Sequence, residues 1–133
     1  MSYEENLKSL SLNADSSIGI YTGVAGQPGS AVPHGGKQYH FVKVTGADQV
    51  GLATAATDPV VGILQNKPQG AGHAATVGYE GVSNVVASAA ISAGAFVAPT
   101  ADGKAVTDAV NGRWVALRPA SGDGVVVPVL KVR

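Results

Sequence analysis

The second half of the chain constrains the fold most. Between Gly81 and Arg133, short apolar segments rich in valine and alanine alternate with turns rich in glycine, aspartate and asparagine. Short strands separated by turn signals every eight to twelve residues or so are typical of β-barrels and β-sandwiches. No segment shows a long helical repeat of apolar residues with capping residues at its ends. The sequence therefore predicts an all-β fold, a small β-barrel or sandwich.

The predicted strands begin near residue 18 and continue to the end of the chain. They are 18–24, 39–45, 49–57, 60–66, 74–82, 84–91, 95–98, 105–107, 113–119 and 125–132. Asp102 and Gly103 form the strongest local hairpin signal. The last two strands are expected to pair with each other. One short helix is allowed within the alanine-rich segments 87–93 or 105–111.

Two segments carry backbone constraints of their own. Residues 25–37 are rich in glycine and proline, which predicts a long loop. Pro128 has no N–H group to donate, so its strand is expected at a sheet edge or beside a bulge.

Residues 1–17 differ from the rest of the chain. Four large apolar side chains, those of Tyr3, Leu7, Leu10 and Leu12, are separated by polar and charged residues. One interpretation is a frayed terminus. The other, which we favour, is an extended arm that is disordered in the free protein and ordered on a partner. We therefore predict an N-terminal arm over 1–17 and a single β domain over 18–133.

Composition excludes several classes of partner. Nine Lys and Arg balance nine Asp and Glu, and the charged fraction of 14% lies below the average of about 25%. The basic residues are scattered, which argues against nucleic acid as the main partner.

The longest apolar run, 85–98, is interrupted and shorter than the roughly 20 residues that span a bilayer. The opening residues lack the apolar core of a signal peptide, so we expect no Sec-type export and no membrane partner.

A core built from alanine and valine gains little free energy per residue, because burial stabilises in proportion to apolar area. We therefore expect subunit or partner contacts to supply part of the stability.

The sequence contains no convincing catalytic, metal-binding or cofactor-binding motif. There is no cysteine, and the three histidines flank or end predicted loops rather than forming the close pairs that zinc sites use. Most acidic residues fall in predicted turns. The run HGGKQ lacks the spacing and the Ser or Thr of a phosphate-binding loop, and no nucleophile-elbow motif occurs. We predict a protein that is not an enzyme and that needs no metal or cofactor.

Three residues near the end of the chain are candidates for partner contacts. They are Arg113, Trp114 and Arg118. Trp114 is either the main filler of a small-residue core or an interface anchor flanked by arginines, because Trp and Arg are both enriched at binding hot spots. Together with Tyr3, Leu7, Leu10 and Leu12 of the arm, they form the predicted partner-binding set.

The ordered pattern of the second half resembles that of the small capsid decoration, or head cement, proteins of tailed bacteriophages. The matching segments are Val77 to Val82, Ala89 to Val97, Gly103 to Val106, Arg113 to Ala116 and Gly122 to Val127. The run ATDPVVGILQNKP is similar to the strand that precedes them in that family. The resemblance covers about residues 40–133, and the loop 25–37 departs from it.

The resemblance implies a virion protein that binds the outside of an assembled capsid and stabilises the shell. It implies the major capsid protein as partner, association as a trimer where shell subunits meet, assembly in the host cytoplasm, and no catalytic residues. The alternative is a non-catalytic β module that binds a carbohydrate or a receptor and is displayed on a particle. That alternative needs exposed aromatic residues, which are scarce here.

Overall fold

The computed structural model describes residues 7–18, 20–22, 33–35 and 37–133. These residues form twelve strands and no helix, which confirms the all-β class. The strands are β1 Lys8–Ala14, β2 Ile20–Thr22, β3 Pro33–Gly35, β4 Phe41–Gly46, β5 Gln49–Leu52, β6 Val60–Leu64, β7 Ala74–Glu80, β8 Val82–Val86, β9 Phe96–Pro99, β10 Ala105–Thr107, β11 Trp114–Ala116 and β12 Val126–Lys131. The helix allowed within 87–93 or 105–111 does not form.

Five strands form a closed barrel in the order β1-β5-β4-β6-β7. Strand β1 closes it, pairing antiparallel with β7 from Lys8 opposite Glu80 to Asn13 opposite Ala74. On its other side β1 runs parallel to β5, but only Asn13 and Ala14 take part. A closed barrel has no free strand edges, so it limits edge-to-edge association.

The predicted arm over 1–17 is therefore wrong for residues 8–14, which are an integral barrel strand. The physical reason is that β1 finds its partner within the same chain, in β7. Residues 1–6, including Tyr3, lie outside the described residues, and for them the arm remains a prediction.

The barrel interior is filled by small and medium apolar side chains. Its core contains Ala14, Ile18, Val42, Val50, Leu64, Ala75 and Val77. On β4 and β6 the side chains alternate, so Val42 and Leu64 point inward while Phe41 and Ile63 belong to a second core. Gly62 fits because a Cβ there would overlap the backbone of Gly78 on β7.

The other five-stranded sheet has the order β10-β9-β11-β12-β8. Its core side chains pack against Phe41, Ala53 and Ile63 on the outer face of the barrel. Backbone hydrogen bonds join the two layers at Tyr39, whose N–H donates to Leu64 and whose carbonyl accepts from Val86. The barrel and the sheet therefore share one large apolar core.

The predicted closing pair is present, because β11 and β12 pair antiparallel from Trp114 opposite Lys131 to Ala116 opposite Val129. The Asp102-Gly103 hairpin also forms between β9 and β10, with Gly103 at φ 74°.

Pro128 differs from the prediction, since β12 lies inside the sheet between β11 and β8. Its carbonyl accepts from the Leu117 N–H. The missing donor therefore faces the end of β11, next to the last paired residue Ala116.

A separate two-stranded sheet pairs β2 with β3. Strand β3 lies within the segment 25–37 that the sequence predicts as loop. Of the rest of that segment, only Lys37 belongs to the described residues.

Candidate partner-binding site

A cleft of about 450 Å³ opens where the barrel meets the second sheet. It lies between the loop before β6 on one side and the turn between β10 and β11 on the other. The lining residues are Phe41, Ala56, Thr57, Asp58, Val60, Val61, Val97, Ala98, Pro99, Val110, Asn111, Gly112, Arg113, Trp114, Lys131 and Arg133. We call this feature the cleft throughout.

Two aromatic rings form the apolar base of the cleft. Phe41 and Trp114 meet edge to face, with ring centroids 6.4 Å apart and an interplanar angle of 61°. Trp114 is only 3% exposed and belongs to the shared core. Of the two interpretations of Trp114 in the sequence, its burial fits the core filler. Any contact of its ring with a partner is confined to the cleft wall.

The turn after β10 forms one rim. The Asp108 carboxylate accepts hydrogen bonds from the backbone N–H groups of Val110 at 3.0 Å and Asn111 at 2.9 Å. Hydrogen bonds from the backbone and side chain of Asn111 lower the pKa of Asp108, so the carboxylate that orders the turn is charged at neutral pH. The turn presents the Val110 side chain at its tip, 85% exposed.

Arg133 holds the same rim from the other side. Its Nε donates to the Gly112 carbonyl and its Nη2 to the Ala109 carbonyl, both at 2.8 Å. Its guanidinium lies 4.1 Å from the centre of the Phe96 ring, a cation–π contact. The rim is therefore fixed by side-chain contacts as well as by its own turn.

Asp58 orders the opposite rim. Its carboxylate accepts hydrogen bonds from the Thr54 N–H at 2.8 Å and from the Lys43 ammonium at 3.0 Å. The Thr54 hydrogen bond is the largest cause that lowers the pKa of Asp58, followed by that from Lys43. The Asp58 carboxylate therefore accepts its hydrogen bonds from its own loop, and Lys43 compensates its charge.

The predicted partner-binding residues separate into three groups. Arg113 and Trp114 both line the cleft, with Arg113 exposed. Arg118 is exposed and lies outside the cleft lining. The structure places Leu7, Leu10 and Leu12 at or beside β1 on the barrel, away from that lining.

The leucines of the first strand are not a free apolar arm. Leu7 covers Gly78 on β7, where an added Cβ would lie 2.7 Å from the leucine Cδ2. Leu12 packs against the barrel core, and Leu10 is 40% exposed. Only Leu10 retains a substantial surface for a partner.

The cleft also contains residues that sequence reasoning missed, namely Val110, Lys131 and Arg133. A signal for Lys131 was available: pairing 113–119 with 125–132 brings the end of the last strand beside Arg113 and Trp114. Nothing local in the sequence indicates that Val110 lies at a cleft rim.

Within the described residues, no group of three or more His, Asp or Glu side chains is placed to hold a metal ion. The same part of the chain contains no helix long and apolar enough to cross a membrane.

No family model matches the chain, and no curated protein matches its sequence. The chain is similar in fold to a solved structure, the crystal structure of the head fiber gp8.5 N base in bacteriophage phi29, with a TM-score of 0.63. The match covers 95% of this chain and 94% of that chain, at 17% sequence identity. The likeness extends over both β layers and over almost the whole of both chains.

Proposed function

We propose that this chain is a structural protein of a tailed-phage particle, which binds the outer surface of the assembled capsid and stabilises the shell. The observation that carries the proposal is the fold similarity to a phage head fiber base over 95% of the chain. The decoration-protein pattern in residues 40–133 supports it independently, because it comes from the order of small and apolar residues rather than from the fold.

Stabilisation would follow from mass action. A protein that binds only the assembled shell lowers the free energy of that state, by about 2.7 kcal/mol per site when its free concentration is 100-fold above Kd. Repetition over symmetry-related sites multiplies this effect. A modest contact energy per copy is therefore sufficient.

We infer a binding protein rather than an enzyme. Asp58 and Asp108 hydrogen-bond to backbone N–H groups of their own loops, which fits structural roles. The alternative of a carbohydrate-binding module is less favoured because Phe41 and Trp114 bury almost all of their surface. Neither ring offers an open face on which a sugar would stack.

We further propose that copies associate on the shell, as trimers with the major capsid protein as partner. The low charged fraction of 14% supports extensive contact with other protein surfaces, since charged residues are depleted at the centres of interfaces.

The direct test is re-addition of purified protein to shells that lack it. We expect electron microscopy to show density on the outer surface at symmetry-related positions, and calorimetry to show a higher shell melting temperature. Shells that gain neither density nor stability at saturating protein would contradict the proposal.

A further inference from the structure

In the part of the chain that the structure describes, the cations of the cleft form no ion pair. The ion pairs among the described residues are Lys8–Glu80 at 3.1 Å, Lys43–Asp58 at 3.0 Å and Lys104–Asp123 at 3.0 Å. Arg113, Lys131 and Arg133, which line the cleft, take part in none of them.

Asp58, the one acidic side chain among the described residues of the cleft lining, is already paired with Lys43. Asp108 directs its carboxylate into its own turn. A chain of zero net charge thus brings three cationic side chains that take part in none of these ion pairs to one cleft.

The two arginines of the cleft retain N–H donors that can bind an anionic partner. Arg133 uses its Nε and Nη2 on the Gly112 and Ala109 carbonyls, and the guanidinium offers five N–H donors in all. The Arg113 side chain donates no hydrogen bond to the described residues, and it is exposed. Guanidinium groups bind carboxylates through paired N–H donors, which fixes orientation as well as charge.

The cleft is of ligand size, and part of its wall is apolar beside polar residues such as Thr57 and Asn111. Its volume of about 450 Å³ lies within the range of about 300–1,000 Å³ typical of binding clefts. The half-buried Val60 and Val61 contribute apolar wall, and the exposed Val110 stands at the rim on a hydrogen-bonded turn. A contact surface that is already ordered loses little entropy on binding.

We propose that the cleft binds an extended acidic segment of a partner protein, with an apolar side chain of that segment seated against its walls and the flanking carboxylates on Arg113, Lys131 and Arg133. The inference rests on the proposed function in taking the shell protein as the partner. A protein segment fits better than nucleic acid, because phosphate-backbone binding uses larger sets of cations and gains nothing from apolar walls.

The first test measures binding of a defined probe by fluorescence anisotropy. The probe is a fluorescein-labelled pentapeptide with a central leucine flanked by two aspartates on each side. The variant Arg113→Glu/Lys131→Glu reverses two cleft charges. The matched control, Lys37→Glu/Lys67→Glu, makes the same change of net charge at residues outside the cleft lining and outside the predicted partner-binding set.

We expect the wild type and the control to bind the peptide alike, and the cleft variant to bind at least about tenfold more weakly. Replacing the central leucine of the peptide by alanine should also weaken binding. Equal losses in both protein variants would overturn the cleft assignment. So would the absence of peptide binding, or tighter binding of a five-residue oligothymidylate. Circular dichroism confirms that each variant remains folded.

The second test uses shells that lack the protein and separates this inference from the proposed function. We expect cosedimentation of the control variant and loss of cosedimentation for the cleft variant. If the cleft variant binds shells like the wild type, the inference is wrong while the proposed function stands. If wild-type protein binds the peptide through the cleft but not the shells, the proposed function fails and the acidic-segment site remains.

Discussion

Two glycines with almost the same backbone angle stand in very different surroundings. Gly94 has φ 84° and no atom within 4 Å of the position that a Cβ would take. Gly103, at φ 74° in the β9–β10 hairpin, would place a Cβ 2.5 Å from the Leu52 Cδ1. Substituting these two glycines by alanine therefore separates the free-energy cost of the left-handed backbone from the free-energy cost of crowding.

We predict that Gly94→Ala lowers the free energy of unfolding by about 1 kcal/mol, the backbone cost alone. Gly103→Ala should lower it by about 2–4 kcal/mol, because overpacking adds to that cost. Urea denaturation of both variants measures the difference. Equal losses would show that Leu52 moves aside without cost.

His40 is a buried titratable side chain in the link between the barrel and the second sheet. It is 7% exposed, and its Nδ1 lies 3.0 Å from the Gln38 carbonyl oxygen. A carbonyl can only accept, so Nδ1 carries the proton in this contact. Burial lowers the pKa of His40, the Gln38 hydrogen bond raises it, and the nearby Lys37 and Lys104 lower it further, with a net decrease below 6.5.

A lowered pKa means that the unfolded chain binds the proton more readily than the folded one. We therefore predict that the free energy of unfolding falls as the pH drops below 6.5, the value for the unfolded chain. His40→Gln should flatten this decrease, while His73→Gln at an exposed loop position should leave it unchanged. Denaturation at pH 7.5 and 5.5 provides the measurement. A decrease of equal size in all three proteins would exclude His40 as its cause.

At the scale of the elements, the end of β1 depends on one carboxylate. Asp15 accepts hydrogen bonds from the Ser17 N–H at 2.8 Å and the Thr45 hydroxyl at 2.8 Å. The Ser17 hydroxyl in turn accepts the Leu52 N–H at 2.8 Å. Gly51 leaves the space for this network, since a Cβ there would overlap the Asp15 carboxylate. The network supports the two-residue parallel pairing of β1 with β5.

We predict that Asp15→Asn lowers the free energy of unfolding by about 1–2 kcal/mol at pH 7, with faster hydrogen exchange at the end of β1. Asp48→Asn is the control, because Asp48 is exposed at φ 52° and asparagine tolerates that conformation. Equal effects of the two substitutions would rule out the network as the cause.

The pH dependence of the Asp15 effect has a defined sign. Burial raises the pKa of Asp15, but the hydrogen bonds from Ser17 and Thr45 lower it by more. The pKa of Asp15 in the folded protein therefore lies below 3.8. Its stabilisation is therefore present above pH 3.8 and is lost as the pH falls through the lowered pKa. The difference between wild type and Asp15→Asn should shrink over that range.

The elements that sequence predicted well are those with local signals. The hairpin at Asp102-Gly103 and the β11–β12 pair follow from turn residues next to alternating apolar residues. The role of β1 could not be predicted in this way. Leu10 and Leu12 show the period of a strand, but the partner strand β7 begins at Ala74, and nothing local indicates a pairing over that separation.

The cleft was only partly predictable for the same reason. Arg113 and Trp114 stand out by residue type, whereas Val110 acquires its exposure from a turn built by Asp108 and clamped by Arg133. Such placement depends on contacts between segments that are distant along the chain. Burial of Trp114 likewise depends on Phe41, which lies in a different strand of a different layer.

For the whole molecule, the barrel strand β1 changes how truncations must be designed. Removing residues 1–12 would test an arm, but it also removes five of the seven residues of β1. We predict that this deletion lowers the melting temperature by at least about 10 °C, since it opens the barrel and exposes its core. Removing residues 1–6 should change it by less than about 2 °C, because the described pairing begins at Lys8.

Calorimetry of both truncated proteins decides the matter. A protein lacking residues 1–12 that melts like the full chain would show that β1 is dispensable. Reduced shell binding is attributable to an arm only in the shorter deletion, where the barrel remains closed.

The first and last strands meet two adjacent residues of the chain, Glu80 and Gly81. Glu80 pairs with Lys8 of β1, and the carbonyl of the adjacent Gly81 accepts the Lys131 N–H of β12 at 3.3 Å. The path of the backbone is thus nearly a ring. A circular permutant that joins these strands by a short linker and opens at the exposed Ala101–Asp102 turn would keep both β layers. In such a permutant the strands would be synthesised in a different order, while the folded structure would stay the same.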